Sequence, residues 1–209
     1  MFWMVWERLP SSYDAVAGEY EATFLNELDG KPQDQAMLLD FIETTTGLIA
    51  DLGCGPGQVG RFVRSRGRTV IGVDISAEMA RLASRRLDGA LVSDIRQLPL
   101  TRSSLGGVLA FYSLIHLPRE ELGPALAEIH RVLCPGGRLL FSAHEGEGLV
   151  EQHEFLGHAV PFVATLFSFD ELIDATQGSG LHLTMSLRRE PLDSEHQTGR
   201  LYVAGRKPL

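Results

Sequence analysis

Between Ile49 and Gly60 the chain reads IADLGCGPGQVG, an apolar run entering a glycine-rich turn that opens a helix. Such a turn presents unpaired backbone N–H groups and the positive end of a helix dipole to a ligand, and glycine lets the ligand come close to the backbone. Gly55, Gly57 and Gly60 fit the G-x-G-x-x-G spacing of dinucleotide-binding turns, and Asp74 at the end of VIGVD is placed to hold a ribose. On spacing alone a nicotinamide-dependent oxidoreductase is a candidate. Asp51 points elsewhere. A carboxylate just ahead of Gly53 would repel an incoming pyrophosphate, whereas it would suit a nucleoside carrying an ammonium or sulfonium cation. D-x-G-x-G-x-G therefore favours a cationic nucleoside.

These residues need a scaffold, and short apolar runs alternate with amphipathic stretches as they do in βα units on a parallel sheet. The patterns predict strands at 47–51, 69–75, 90–92, 106–112 and 138–143. Helices are predicted at 58–66, after the capping Ser76, and from Pro118 through Leu122, Leu126, Ile129 and Leu133 to the stop at Pro135-Gly136-Gly137. The alternation then breaks. Residues 144–167 read as irregular, Ser168-Phe169-Asp170-Glu171 has capping-box spacing for a helix to Thr176, and two strands follow at 182–189 and 200–205.

With 209 residues, 44% hydrophobic and 22% charged, the chain has the balance of a single soluble globular domain. A formal charge of −8 opposes non-specific attraction to nucleic acid, which needs clustered cations. The least polar run, 105–117, is too short to span a bilayer, and the N-terminus lacks a basic leader, so neither a membrane span nor a secretory signal is expected. Cys54 and Cys134 lack CxxC spacing and suit reduced thiols in the cytoplasm. Residues 1–12 read as a tail, or as an upstream start before Met4.

The ordered set of motifs resembles the class I S-adenosylmethionine-dependent methyltransferases, within them the small-molecule group called methyltransferase type 11, from about Tyr13 to Arg206. The resemblance implies a Rossmann-like, doubly wound α/β sheet of seven strands, mostly parallel with the last strand antiparallel. It implies one domain over 13–209: N-terminal helices over the cofactor (13–46), a cofactor-binding core (47–144), a cover for the acceptor pocket (145–167), and a last helix and strand pair (168–209). It implies S-adenosylmethionine as cofactor. Asp51, Gly53, Cys54, Gly55 and Gly57 would lie against its methionine part, and Asp74, with Ile75 and Met79 behind it, would take the ribose hydroxyls. Ser93, Asp94 and Ile95 would meet the adenine, and Phe111 and Tyr112 the amino group and sulfonium. Tyr13 and Tyr20 are similar to a segment that folds over the cofactor, and aromatic faces suit a sulfonium.

Methyl transfer needs an aligned nucleophile and, for an alcohol or phenol, a base near neutral pKa. His144 first and His116 second are the expected catalytic histidines, because both follow strand ends, where ligands of this fold bind. His153, His158, Phe155, Phe162 and Phe167 fall in the expected cover. The His and Glu cluster from 144 to 158 matches no metal-ligand spacing, and no metal is expected. A non-catalytic S-adenosylmethionine-binding protein remains a rival, beside the nicotinamide enzyme. The expected partner is a small-molecule acceptor; the acceptor and the oligomeric state are not written in one sequence.

Overall fold

A computed structural model describes residues 3–209. Nine strands and six α-helices follow in chain order among the described residues. The strands are β1 (Ile49–Leu52), β2 (Val70–Asp74), β3 (Gly89–Val92), β4 (Leu105–Phe111), β5 (Leu133–His144), β6 (Leu149–Gln152), β7 (Phe162–Thr165), β8 (His182–Arg189) and β9 (Arg200–Arg206). The helices are α1 (Trp3–Phe24), α2 (Pro32–Thr44), α3 (Gln58–Arg64), α4 (Ala77–Ala83), α5 (Leu122–Val132) and α6 (Phe169–Gly178).

Seven strands form one sheet in the order β3-β2-β1-β4-β5-β9-β8, with β9 antiparallel to both neighbours. β1 and most of β4 are buried, as strands covered on both faces must be. One layer packs α5 and α6 on the sheet through Leu126, Ile129 and Leu172; the other packs α2 and α3 through Leu38, Phe41 and Val63. β1 pairs with β2 on one side and β4 on the other, so strand order reverses there and a crevice opens beyond the strands' carboxyl ends. Closure of that corner requires glycine. Gly53 turns at φ +62°, and a Cβ on it would stand 2.3 Å from the Cβ of Ser113 after β4.

Four expectations change. From Trp3 onward the expected tail belongs to α1, because Leu9, Val16 and Ala17 on that helix are buried against the fold; Met1 and Phe2 lie outside the described residues. Pro118 precedes a short 3-10 turn at Arg119–Glu121, and α5 starts only at Leu122. Pro135-Gly136-Gly137 does not end the helix: β5 already pairs at Leu133, and these residues bulge from it before pairing resumes at Arg138. The segment 144–167 is not wholly irregular, since β6 and β7 pair antiparallel within it. The Ser168 capping box and the Ser76 cap form as expected. Among the described residues no helix is long and apolar enough to cross a membrane.

Candidate active site

A cavity of about 370 Å³ opens where β1, β2 and β4 end. Gly53 and Gly55 form its floor, Asp74, Ile75 and Met79 one wall, Asp94 and Ile95 another, and Phe111 and Tyr112 the far end. α1 lies across it with Tyr13 and Tyr20, joined by Trp6, Leu9 and Pro10 from the segment expected to be a tail. Asp74 ties the corner together: one carboxylate oxygen accepts from the N–H of Gly55 at 2.8 Å and the other from Ser76 at 2.9 Å. Burial pushes its pKa up to about 6, against the pull of those donors. Each oxygen keeps a lone pair for a hydroxyl. α1 is fastened to the same corner by Asp14, which accepts from the Ser76 hydroxyl and the Glu78 N–H.

Four expected contacts are not on this wall. Asp51 is 2% exposed and points beneath the turn, its Oδ2 accepting from the N–H of Gly60 at 2.8 Å. The carboxylate thereby occupies a donor in the first turn of α3 and does not line the cavity, so its expected contact with a cationic nucleoside is not made. Cys54 is buried under the turn with its thiol on the Gly55 carbonyl, Gly57 packs against Ala83 of α4, and the Ser93 hydroxyl donates to the carbonyls of Asp94 and Gln97. Asp94 does reach the wall, but its carboxylate is clasped by the Arg96 guanidinium, which holds its pKa below the usual range.

Burial raises the Asp51 pKa to about 7. An acid whose folded pKa exceeds its unfolded one contributes stability fully below about pH 4 and loses it as pH rises through about 7. Asp51→Asn is therefore expected to gain on the wild type as pH rises from about 4 to about 7, by up to about 1.4 kcal/mol per pH unit, and to level off above that, read as the difference between two thermal-unfolding series. A difference independent of pH would contradict this placement.

A second cavity, of about 610 Å³, adjoins the first and shares Tyr13, Tyr20, Tyr112 and His116 with it. Tyr112, at the end of β4, holds a left-handed φ of +52°, uncommon for a non-glycine residue and typical of functional corners. His116 sits at the junction. Its Nδ1 lies 2.7 Å from the Val163 carbonyl, which can only accept, so Nδ1 carries the proton and Nε2 accepts from the Tyr13 hydroxyl at 2.8 Å. Burial lowers its pKa to about 4. His144 lies only in the second cavity; Arg200, a pure donor, is 3.0 Å from its Nδ1, and burial with Arg200 drives its pKa to about 3. The expected base in His144 thus has its lone pair engaged by a cation. Phe155 and Phe162 line this cavity, whereas Phe167 is buried in the core and His158 pairs with Glu19.

The polar end of the second cavity was not legible in sequence. Glu195 joins Lys31, Arg189 and Arg200, and Arg189 reaches Asp34, which also accepts from the Tyr202 hydroxyl at 2.7 Å. Burial keeps the Asp34 pKa raised despite these partners. Gln58, which the sequence did not point to, and Ser113, which the resemblance placed at the end of β4 for its carbonyl, line the first cavity with a buried side-chain oxygen each that has no partner within the chain.

A model of the methyltransferase domain family matches residues 50–141. The malonyl-acyl-carrier-protein O-methyltransferase of Serratia marcescens is 32% identical over 148 residues, 69% of this chain and 56% of that protein. The fold superposes on a SAM-dependent methyltransferase of Methanosarcina mazei with a TM-score of 0.73, at 19% identity over 83% of this chain and 97% of the other. It also superposes on the 1,6-didemethyltoxoflavin-N1-methyltransferase of Burkholderia thailandensis, with a TM-score of 0.65 at 21% identity over 96% and 91%. Residues 50–141 match the methyltransferase domain family, and the fold is that of S-adenosylmethionine-dependent methyltransferases. It spans about half the length of the curated methyltransferases it matches. The family's cofactor fits the first cavity of this methyltransferase fold. An acid with free lone pairs stands at the end of β2, side chains at Gly53 and Gly55 would be strained at their positive φ, and the unpartnered oxygens of Gln58 and Ser113 await a polar ligand.

Proposed function

We propose that this chain transfers a methyl group from S-adenosylmethionine to O, N or C of a small-molecule acceptor by in-line displacement. The observation that carries this reading is the pair of adjoining cavities, one walled by the nucleoside-type residues and one by aromatic and polar side chains, with Tyr13, Tyr20, Tyr112 and His116 common to both. S-adenosylmethionine supplies an electrophilic methyl on a sulfonium.

The protein's part is placement. Asp74 accepts the ribose hydroxyls, Ile75, Met79 and Ile95 flank the base, and Gln58 and Ser113 offer their free oxygens to the polar end. α1 covers the site and excludes water, which raises the worth of orientation in a displacement. The neutral His116 keeps the Tyr13 hydroxyl pinned at the junction rather than acting as a strong base. The relative from Serratia marcescens is named for a carrier-bound acid and that from Burkholderia thailandensis for a ring nitrogen, so acceptors differ widely on this scaffold. We place the protein in the cytoplasm, where its two free cysteines stay reduced.

Calorimetry tests the reading: S-adenosylmethionine and S-adenosylhomocysteine are expected to bind at one site each, and NAD to give no heat. Binding of NAD alone would reverse the assignment. Product analysis with labelled methyl donor and candidate acceptors then distinguishes a transferase from a binding protein.

A further inference from the structure

Resting on the transferase reading, we infer that the acceptor is an amine arriving as the free base, and that its methylated, positively charged nitrogen is received in a cage formed by Tyr13, Tyr20, Phe24, Phe155 and Phe162.

The five rings are continuous. Tyr20 lies 4.6 Å from Phe24 and 5.9 Å from Tyr13, centroid to centroid, Tyr13 is 5.9 Å from Phe155, and Phe155 is 4.7 Å from Phe162. Tyr13 and Tyr20 border both cavities, but Phe24, Phe155 and Phe162 border only the second, so the cage extends beyond what a sulfonium in the first cavity would use. Ring faces attract cations, and a cation of the protein itself would fill that role. Among the described residues, none does: lysine and arginine stand over Phe62, Tyr112, Phe167 and Tyr202, not over any ring of the cage.

The charges around the rings are paired with one another: Glu27 holds Lys31 at 2.7 Å, and Glu195 holds Lys31 and Arg200. Burial first, and then Asp74, oppose ionisation of Tyr13 and Tyr20, so both rings stay neutral. An acceptor that had to surrender a proton would need a base at the junction, and both histidines have their basic nitrogen engaged, His116 by Tyr13 and His144 by Arg200. An amine needs none. Its nitrogen lone pair forms the new N–CH3 bond, the electrons of the S–CH3 bond return to sulfur, and the positive charge passes from sulfur to nitrogen with no proton moved to the protein. The charge then sits among the rings.

The test compares choline with 3,3-dimethylbutan-1-ol, its uncharged carbon isostere, by calorimetry on the whole chain with and without saturating S-adenosylhomocysteine. Choline is expected to bind about tenfold tighter or more, in line with a desolvated cation–π contact. Phe155→Leu should cut that preference to about twofold or less, while Phe155→Tyr, which keeps a ring, should retain it; circular dichroism of both variants reports that they fold. Equal or tighter binding of the alcohol, binding of neither probe, or an undiminished preference in Phe155→Leu would overturn the cage. Failure of S-adenosylhomocysteine to bind, with the choline preference intact, would instead remove the transferase reading and leave a cation site.

Discussion

Asp74→Ala is expected to weaken S-adenosylhomocysteine binding by about 100-fold or more. The carboxylate is the knot between two turns, accepting from Gly55 after β1 and from Ser76 before α4, and it fronts the cavity where the ribose would lie. Hydrogen bonds to a charged acceptor contribute about 1.5–3 kcal/mol each, so losing two to a ligand exceeds the roughly 2.8 kcal/mol that corresponds to 100-fold. Asp74→Asn keeps one acceptor oxygen and should fall between alanine and wild type. Calorimetric dissociation constants for the three proteins check the order. Unchanged affinity in Asp74→Ala would mean that the nucleoside lies elsewhere. Asp14 provides a contrast, because it fastens α1 to Ser76 and Glu78 without lining the cavity.

Arg189→Met should be the most destabilising single change outside the core. Arg189 and Asp34 are 8% and 1% exposed, and Arg189 also grips Glu195 through both oxygens, at 2.7 and 3.0 Å. Removing one partner of a buried ion pair strands the others, at about 3–5 kcal/mol. In a domain of this size that lowers the Tm by on the order of 10 °C. Asp34→Asn combined with Arg189→Met should recover part of the loss, since the stranded acid is gone. A melting temperature unchanged in the single variant would show that Lys31 and Arg200 suffice to hold Glu195. Because Glu195 and its neighbours Ser194 and His196 line the second cavity, the single variant should also lose choline affinity.

Where local chemistry acts between residues close in sequence, one chain of letters was enough. The Ser168 and Ser76 caps, the glycine turn after β1, and the acid ending β2 each depend on neighbours a few positions away, and each stands where its pattern placed it. Element ends were less legible. Pro135-Gly136-Gly137 reads as a helix stop but bulges within a strand, because pairing with β4 outweighs the local turn preference. β6 and β7 were hidden in a polar stretch, since two short strands depend on each other more than on their own composition.

The sequence by itself determined the alternation of strands and helices and the ordered motifs that carry the resemblance to the methyltransferases, because hydrophobic period and glycine turns are carried by contiguous residues. The tertiary structure alone decided which way side chains face and what holds them. Asp51 turned from the ligand to Gly60, and His144 gave its lone pair to Arg200 across the sheet. Five rings from α1 and the cover came together beside a junction that no single segment encodes. Burial and pairing are sums over neighbours distant in sequence, and a lone carboxylate or imidazole carries no mark of which neighbours it will meet.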